Sequence, residues 1–354
     1  MNNKLSFNYL IGIIKRKNII FIFIFILIFI IIYSDFNFLI NSKQEFRNVI
    51  LIGWAGAQRE HVHELLNELE LSNLQKIIDE GNIVNITVTT GETKTMGGWA
   101  EVLTGYNPKI TKVFSEIDYK PIPRGYTIFE RLENYFGKED IITVFIGGKP
   151  AGIGANGPYK ICVNCLRRDL SGKRTDWWNE NTSALTKDGS ERIFLETEGE
   201  PYNFTAESID VHLVGLGNGS NVVDKARGYL EKYKDERFFM FAQFQEPDER
   251  GHKYGENSEE YGNALIFNDY WLGMILSKLK ELEIYDETLV YVVSEHGFND
   301  GMYHHNDAPY AFLATNDKTV KNNGDRKDIT PTILWQYGLD LNKISPQLDG
   351  IPLN

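Results

Sequence analysis

Cysteine is nearly absent from this chain: only Cys162 and Cys165 occur among 354 residues, in the order Cys-Val-Asn-Cys. The absence of a second pair and of a nearby histidine argues against a cysteine-based zinc site. Outside the cytoplasm two such thiols can close a small loop. We therefore expect either a local disulfide or two free thiols.

An excess of positive charge is also absent. The chain has 37 Lys and Arg against 49 Asp and Glu, which gives a formal net charge of −12 and a pI of about 5.2. Duplex nucleic acid is therefore not an expected partner, because nothing in this balance attracts phosphate backbones. An acidic composition is compatible with a metal-dependent site.

Repeats and low-complexity tracts are absent apart from one apolar run, which consists of Ile, Phe and Leu with a single Tyr at residues 19–33. With its apolar flanks this run can cross a hydrocarbon core of roughly 30 Å. The basic cluster at residues 15–17 predicts that the N-terminus faces the cytoplasm. No small-residue cleavage site follows Tyr33, so we expect an uncleaved signal anchor rather than a signal peptide.

These observations predict a single-pass protein of the cell membrane with an extracytoplasmic catalytic domain. The predicted segments are a cytoplasmic tail at 1–17, a transmembrane anchor at 18–36, a linker at 37–46 and the domain at 47–354.

The rest of the chain alternates short apolar runs with helical patterns, which predicts an α/β fold with a doubly wound, mostly parallel sheet and helices on both faces. A long insertion at about 148–205 interrupts the pattern, and we expect it to lie over the active-site edge. The predicted strands are 48–53, 83–88 (as a buried strand), 141–146, 238–244, 288–294 and 309–315. The predicted helices are 60–80, 126–137, 222–233, 258–282 and one that opens at 328–335.

Residues 89–106 carry the candidate nucleophile. A hydroxyl-rich strand end leads through Gly91, and again through Gly97 and Gly98, into a short helical pattern. Free backbone N–H groups at a helix N-terminus favour an anion or a nucleophile. Thr95 is the candidate, although taken alone the threonines of this stretch are explained as well by strand propensity and capping.

Carboxylates and histidines follow two other predicted strands. Asp248 and His252 come after 238–244, where Pro247 and Gly251 predict a loop, and a second group follows 288–294. Strand ends of open α/β sheets meet at one edge, so these oxygen and nitrogen ligands are placed to bind a zinc-like cation. The second group consists of Glu295, His296, His304 and His305.

The order of these motifs resembles the alkaline phosphatase superfamily, and within it the type I phosphodiesterase/nucleotide pyrophosphatase branch. The resemblance covers roughly residues 47–351 without the insertion. The matching segments are the first apolar strand with Gly-x-x-Gly, Thr95-Met-Gly-Gly-Trp-Ala-Glu-Val-Leu-Thr-Gly105, Glu-Pro-Asp-x-x-Gly-His252, Ser-Glu-His-Gly297, a late His, Asp328-x-x-Pro-Thr-Ile-Leu and Leu348-Asp-Gly350.

The resemblance implies a two-metal hydrolase, with zinc as the expected metal and manganese or others as alternatives. It implies a Thr95-phosphoryl intermediate that water then hydrolyses. The ligands of one metal are Asp248, His252 and His305, with His304 as the alternative to His305. The ligands of the other are Glu295, His296, Thr95 and an Asp in the first strand-end loop.

This chain departs from that pattern at two positions of the same metal. The expected Asp is Ala55, which cannot ligate, and the Asp of Ser-Asp-His is Glu295, whose longer side chain can still ligate. Losing a ligand should cost at least the ~10–100-fold known for weaker perturbations of metal sites.

Two explanations therefore remain open. One is a membrane-anchored metallohydrolase of phosphate diesters or related phosphate esters, with small-molecule, lipid or glycan substrates. The other is a pseudoenzyme that retains the fold and one metal for a binding role. A sulfatase lacks support, because the nucleophile loop has no Cys or Ser followed by x-Pro-x-Arg. Membrane-embedded phosphoryl-group transferases usually carry several spans, whereas this chain has one.

Overall fold

The computed structural model describes residues 46–89, 93–150, 152–158, 160–162, 194–196 and 198–354. By its internal contacts the chain divides after residue 45, and Phe46–Asn354 forms one compact unit. The predicted tail, the anchor and Cys165 lie outside the described residues. Within the described ranges, no helix has both the length and the apolar character that a membrane crossing requires.

The compact unit is a mixed α/β fold built on a seven-stranded sheet in the order β2-β11-β10-β1-β9-β5-β8. Two small antiparallel ribbons, β3–β4 and β6–β7, lie outside this sheet. The strands are β1 (Asn48–Trp54), β2 (Asn82–Thr87), β3 (Val113–Ser115), β4 (Asp118–Tyr119), β5 (Ile142–Gly147), β6 (Lys160–Cys162), β7 (Phe194–Glu196), β8 (Val211–Leu213), β9 (Phe238–Phe244), β10 (Thr288–Val293) and β11 (Tyr310–Thr315).

Helices cover both faces of the sheet. The α-helices are α1 (Arg59–Asn67), α2 (Ser72–Glu80), α3 (Thr95–Thr104), α4 (Pro108–Thr111), α5 (Ile128–Phe136), α6 (Asn203–Ser208), α7 (Gly219–Tyr233), α8 (Glu246–Tyr254), α9 (Glu259–Glu281) and α10 (Ile329–Gln336). Short 3₁₀ helices occur at Tyr285–Glu287, Arg326–Asp328 and Leu341–Lys343.

The central strand β1 shows why both faces are covered. All seven of its residues are buried, and successive side chains enter opposite cores, as the two-residue period of a strand requires. Val49 and Leu51 join the core formed with α3, α5 and α10. Ile50 and Ile52 join the core formed with α1, α2, α7 and α9. A strand that is apolar at every position is typical of a parallel sheet between two helical layers.

The direction of the strands brings the candidate site to one edge. Strands β10, β1, β9, β5 and β8 are parallel, β11 is antiparallel to β10, and β2 is antiparallel to β11. Strand β2 therefore runs in the same direction as the parallel strands. The ends of β2, β1, β9, β5 and β10 and the start of β11 consequently share one edge.

Two sequence predictions about these elements are wrong. Strand β2 is half-buried, because it lies at the border of the sheet next to β11 and its other side meets only a single bridge to Gly324 among the described residues. The single helix predicted at 60–80 is two helices. Leu69 has a positive φ of 64°, and the Glu70 N–H bonds to the Leu65 carbonyl, so the chain turns before α2 begins. The leucine period continues across this turn, which is why the pattern did not reveal it.

A fully buried ion pair joins α3 to the C-terminal part of the domain. Arg326 donates two hydrogen bonds to Glu101, with 2.9 Å from Nε to Oε2 and 3.0 Å from Nη2 to Oε1. Its Nη1 donates to the Glu295 carbonyl at 3.1 Å. Such a two-pronged guanidinium contact fixes the geometry as well as the charge. Arg326 therefore connects the helix that begins with Thr95 to the loop that carries Glu295 and His296.

We predict that Arg326→Met lowers the free energy of unfolding by about 3–5 kcal/mol, because it leaves the buried Glu101 carboxylate without its guanidinium partner. Urea denaturation followed by circular dichroism measures this change. Lys343→Met is the matched control, since Lys343 pairs with Asp340 at the surface and no measurable change is expected. Equal midpoints for the two variants would contradict the assigned role of Arg326.

Candidate active site

Thr95 lies at the N-terminus of α3, at the common strand-end edge. It is 4% exposed, and its Oγ1 lies 3.1 Å from Nε2 of His296. The sequence predicts a turn at Gly97 and Gly98 before the helix. The helix instead begins at Thr95, so both glycines lie inside its first turn. The predicted turn at Gly91 lies outside the described residues.

Gly98 explains how α3 comes close to the Glu295 side chain. A Cβ built at position 98 would lie 2.8 Å from Cγ of Glu295, so a larger residue would push this carboxyl away. Glu295 Oε2 accepts the Gly56 N–H at 3.2 Å. Oε1 is buried, has no hydrogen-bond partner within the described part of the chain, and lies 3.4 Å from Nε2 of His296.

Asp248 and His252 lie on helix α8, which corrects the predicted loop. Pro247 stands in the first turn, where a missing N–H costs nothing, and Gly251 lies against the Phe298 ring, where a Cβ would come within 2.5 Å. The four-residue spacing therefore puts both side chains on one helix face. Nε2 of His252 lies 3.3 Å from Oδ1 of Asp248.

The Asp248 carboxylate is the centre of the site and is 1% exposed. Its Oδ2 accepts a hydrogen bond from Nζ of Lys149 at 2.5 Å. Its Oδ1 has no well-aligned hydrogen bond among the described residues, and its nearest nitrogens are Nε2 of His252 at 3.3 Å and Nε2 of His305 at 3.6 Å. A buried carboxylate oxygen without a partner is costly and indicates a missing cation or proton.

Three histidine side chains near this oxygen are held in the same way, each by a backbone carbonyl at its Nδ1. Nδ1 of His252, His296 and His305 lies 2.8, 2.9 and 2.5 Å from the backbone carbonyls of Tyr303, Gly297 and Thr93, respectively. A carbonyl only accepts, so each Nδ1 carries the proton and each Nε2 is left as the potential ligand atom. Metal-binding histidines are oriented by such partners.

This donor set fits one divalent cation. Ligand atoms of Asp248, His296 and His305, all buried, lie within 4.8 Å of one another. Nε2 of His252 faces Nε2 of His305 at 3.1 Å, an arrangement that needs a proton or a cation between the two nitrogens. His305, preferred from the sequence, belongs to this cluster, whereas His304 is exposed.

The pKa directions agree with neutral ligands at the centre of the cluster. Burial lowers the pKa of His296 and that of His305, with the neighbouring His305 adding to the effect on His296. Burial alone would lower the pKa of His252, but the adjacent Asp248 carboxylate raises it. Burial and the charge of Asp248 raise the pKa of Glu295 to about 8, so its carboxyl is protonated at neutral pH.

One position predicted for a second metal offers no ligand atom. Ala55 is fully buried, its N–H donates to the Phe244 carbonyl, and its carbonyl accepts the Asp248 N–H at 2.9 Å. Position 55 thus lies beside Asp248, but its side chain offers no ligand atom. Among the described residues, the group of three converging ligand atoms includes neither Glu295 nor His252.

The sequence analysis missed Lys149 and Glu116. Lys149 directly follows β5, so the strand-end criterion that selected Asp248 also applies to it, but it was counted as the start of the insertion. Burial alone would lower its pKa, yet the Asp248 carboxylate holds this pKa above the ordinary value. Glu116 accepts the Met96 N–H at 3.3 Å, and no local pattern marks it.

Comparisons with known proteins show which family and fold the chain shares. A family model described as type I phosphodiesterase / nucleotide pyrophosphatase matches residues 49–343. The human protein "Ectonucleotide pyrophosphatase/phosphodiesterase family member 1" is 38% identical over 74 residues, which span 21% of this chain and only 8% of that protein.

Solved structures share the fold at low sequence identity. The lipoteichoic acid synthase LtaP from Listeria monocytogenes has a TM-score of 0.53 at 16% identity, over 88% of this chain and 76% of that one. A protein in the alkaline phosphatase superfamily from Vibrio parahaemolyticus has a TM-score of 0.53 at 16% identity, over 87% and 70%.

We predict that His305→Ala weakens binding of Zn²⁺ or Mn²⁺ by at least about 100-fold, because residues that only orient a ligand are already worth ~10–100-fold. Isothermal titration of the metal-stripped protein measures this affinity. His304→Ala is the matched control and should bind like the wild type. Loss of affinity in the His304 variant alone would reverse the assignment.

Proposed function

The chain belongs to the type I phosphodiesterase/nucleotide pyrophosphatase family of hydrolases, and we propose that it hydrolyses phosphate diesters or related phosphate esters with Thr95 as nucleophile. The observation that carries this proposal is the position of the Thr95 hydroxyl. It is buried at a helix N-terminus and directly adjoins the cluster of Asp248, His296 and His305.

The chemistry of this arrangement is phosphoryl transfer through a phosphoester formed on Thr95. The Thr95 oxygen attacks phosphorus, the bond to the leaving alcohol breaks, and the alcohol departs with a proton. Water then cleaves the Thr95 phosphoester and restores the hydroxyl. The first turn of α3 supports both steps, because its N–H groups and dipole favour negative charge near Thr95.

Asp248, His252, His296 and His305 would hold the divalent cation, with zinc proposed and manganese as the alternative, since carboxylate and imidazole suit both. When bound, this cation supplies charge stabilisation for the phosphoryl group and lowers the pKa of the attacking hydroxyl. The chain's own contribution is orientation. The backbone carbonyls that accept from each Nδ1 hold the imidazoles in place.

We further propose that residues 18–36 anchor the domain at the outer surface of the cell membrane. The support is the uncharged apolar run behind a basic cluster. Small-molecule, lipid or glycan phosphoesters are the substrates that such a location offers.

A binding role without catalysis is the second candidate, and Ala55 is the observation that favours it. The site lacks the carboxylate that would complete a second metal, so an intact fold with one cation could bind a phosphoester without cleaving it. Absence of turnover in the metal-loaded wild type, with turnover gained in Ala55→Asp, would support this role over the hydrolase.

We predict that Thr95→Ala lowers kcat on an aryl phosphodiester by on the order of 10³-fold or more, because the nucleophile is removed. Thr95→Ser should retain most of the activity. Metal content, measured in parallel, should be unchanged in both variants. The phosphorylated wild-type peptide, trapped by acid quench, should carry its phosphoryl group on Thr95. Wild-type turnover in Thr95→Ala would reject the assignment of the nucleophile.

A further inference from the structure

The pair Ala55 and Lys149 distinguishes this site from one that holds two metals. The side chain of residue 55 is a methyl group, while its backbone carbonyl is fixed to the Asp248 N–H. The Asp248 oxygen that faces away from the imidazole cluster is Oδ2, and Nζ of Lys149 lies 2.5 Å from it. Residue 55 thus offers no ligand atom for a second metal, while Asp248, which is bonded to its backbone, contacts the ammonium group of Lys149.

Hydrogen bonds to Gln243 hold the main chain at Lys149 in place. The Lys149 N–H donates to Oε1 of Gln243 at 3.3 Å, and the preceding Gly148 N–H donates to the Gln243 carbonyl at 3.0 Å. Gln243 itself lies in β9, next to the central strand β1, and is 1% exposed. The main chain of Lys149 is therefore anchored to a strand end, and the contact with Oδ2 of Asp248 holds its ammonium group.

The same loop also borders the nucleophile. Three residues after Lys149, Gly152 lies against α3, where an added Cβ would be 3.3 Å from Cγ2 of Thr95. The Lys149 side chain is 30% exposed, whereas that of Asp248 is 1% exposed. The ammonium group thus contacts the buried carboxylate, while the Lys149 side chain stays partly exposed.

We propose that the Lys149 ammonium group replaces the second metal as a covalently attached cation. The site then holds one divalent cation, among Asp248, His296 and His305, and one positive charge at Oδ2 of Asp248. This inference rests on the proposed function as a metal-dependent phosphoester hydrolase. An ammonium charge next to Asp248 requires no carboxylate at position 55, which accounts for Ala55.

Metal content per chain tests the proposal directly. The metal-stripped protein is loaded with Mn²⁺, freed of excess metal and analysed by mass spectrometry of the elements. One metal per chain is expected for the wild type, for Ala55→Asp and for Lys149→Met. Two metals per chain are expected only when Ala55→Asp and Lys149→Met are combined in one double variant. A second metal needs both a carboxylate at position 55 and the space that the Lys149 side chain occupies. Lys120→Met, whose exposed ammonium pairs with Glu198, is the matched control with one metal.

Two metals in the wild type, two in Ala55→Asp alone, or one in a folded double variant would overturn the proposal. Electron paramagnetic resonance of the Mn²⁺-saturated wild type tests whether two metals bind close together. This test does not depend on whether the double variant folds. Isolated-ion spectra are expected, whereas a spin-coupled pair, as from two ions ~4 Å apart, would reject the proposal. Hydrolysis with two bound metals would reject this inference alone, and one bound metal without hydrolysis would reject the proposed function alone.

Discussion

The buried carboxylate of Asp248 is the constraint on which the site depends. An ionised carboxylate that is 1% exposed needs compensating charge, since desolvation alone costs several kcal/mol. Its Oδ2 receives Lys149, its Oδ1 faces His252 and His305, and its backbone N–H bonds to Ala55. Burial alone would raise the pKa of Asp248, but Lys149 holds it well below its usual range. One side chain thereby joins segments that follow β1, β5, β9 and β10.

The sheet makes this convergence possible. Five parallel strands end at one edge, and the antiparallel β11 begins there, so the loop from β10 to β11 can return His305 to the same edge as Asp248. The buried Arg326–Glu101 pair then fixes α3, and with it Thr95, against the loop that carries His296. The nucleophile is consequently positioned by a helix, and the ligands His296 and His305 by loops whose ends are set by β10 and β11.

The sequence predicted the location of the site because strand ends can be recognised from short apolar runs. The carboxylate and histidines after β9 and β10 could therefore be found without a structure. The break at Leu69 could not be predicted, because the leucine period continues across it. Pro247 favours a loop in the sequence, but the first turn of a helix accepts a proline, and the structure has a helix there. Lys149 was missed for a different reason. It follows the end of β5, where the strand-end criterion applies, but it stands at the start of the predicted insertion.

The central claim is a site with one metal and one fixed ammonium group, and anomalous scattering from crystals of the Mn²⁺-loaded protein tests it most directly. The account predicts a single strong peak among Asp248, His296 and His305, with Nζ of Lys149 still in contact with Oδ2 of Asp248. A second peak of comparable height beside Ala55, with Lys149 displaced from Asp248, would contradict it.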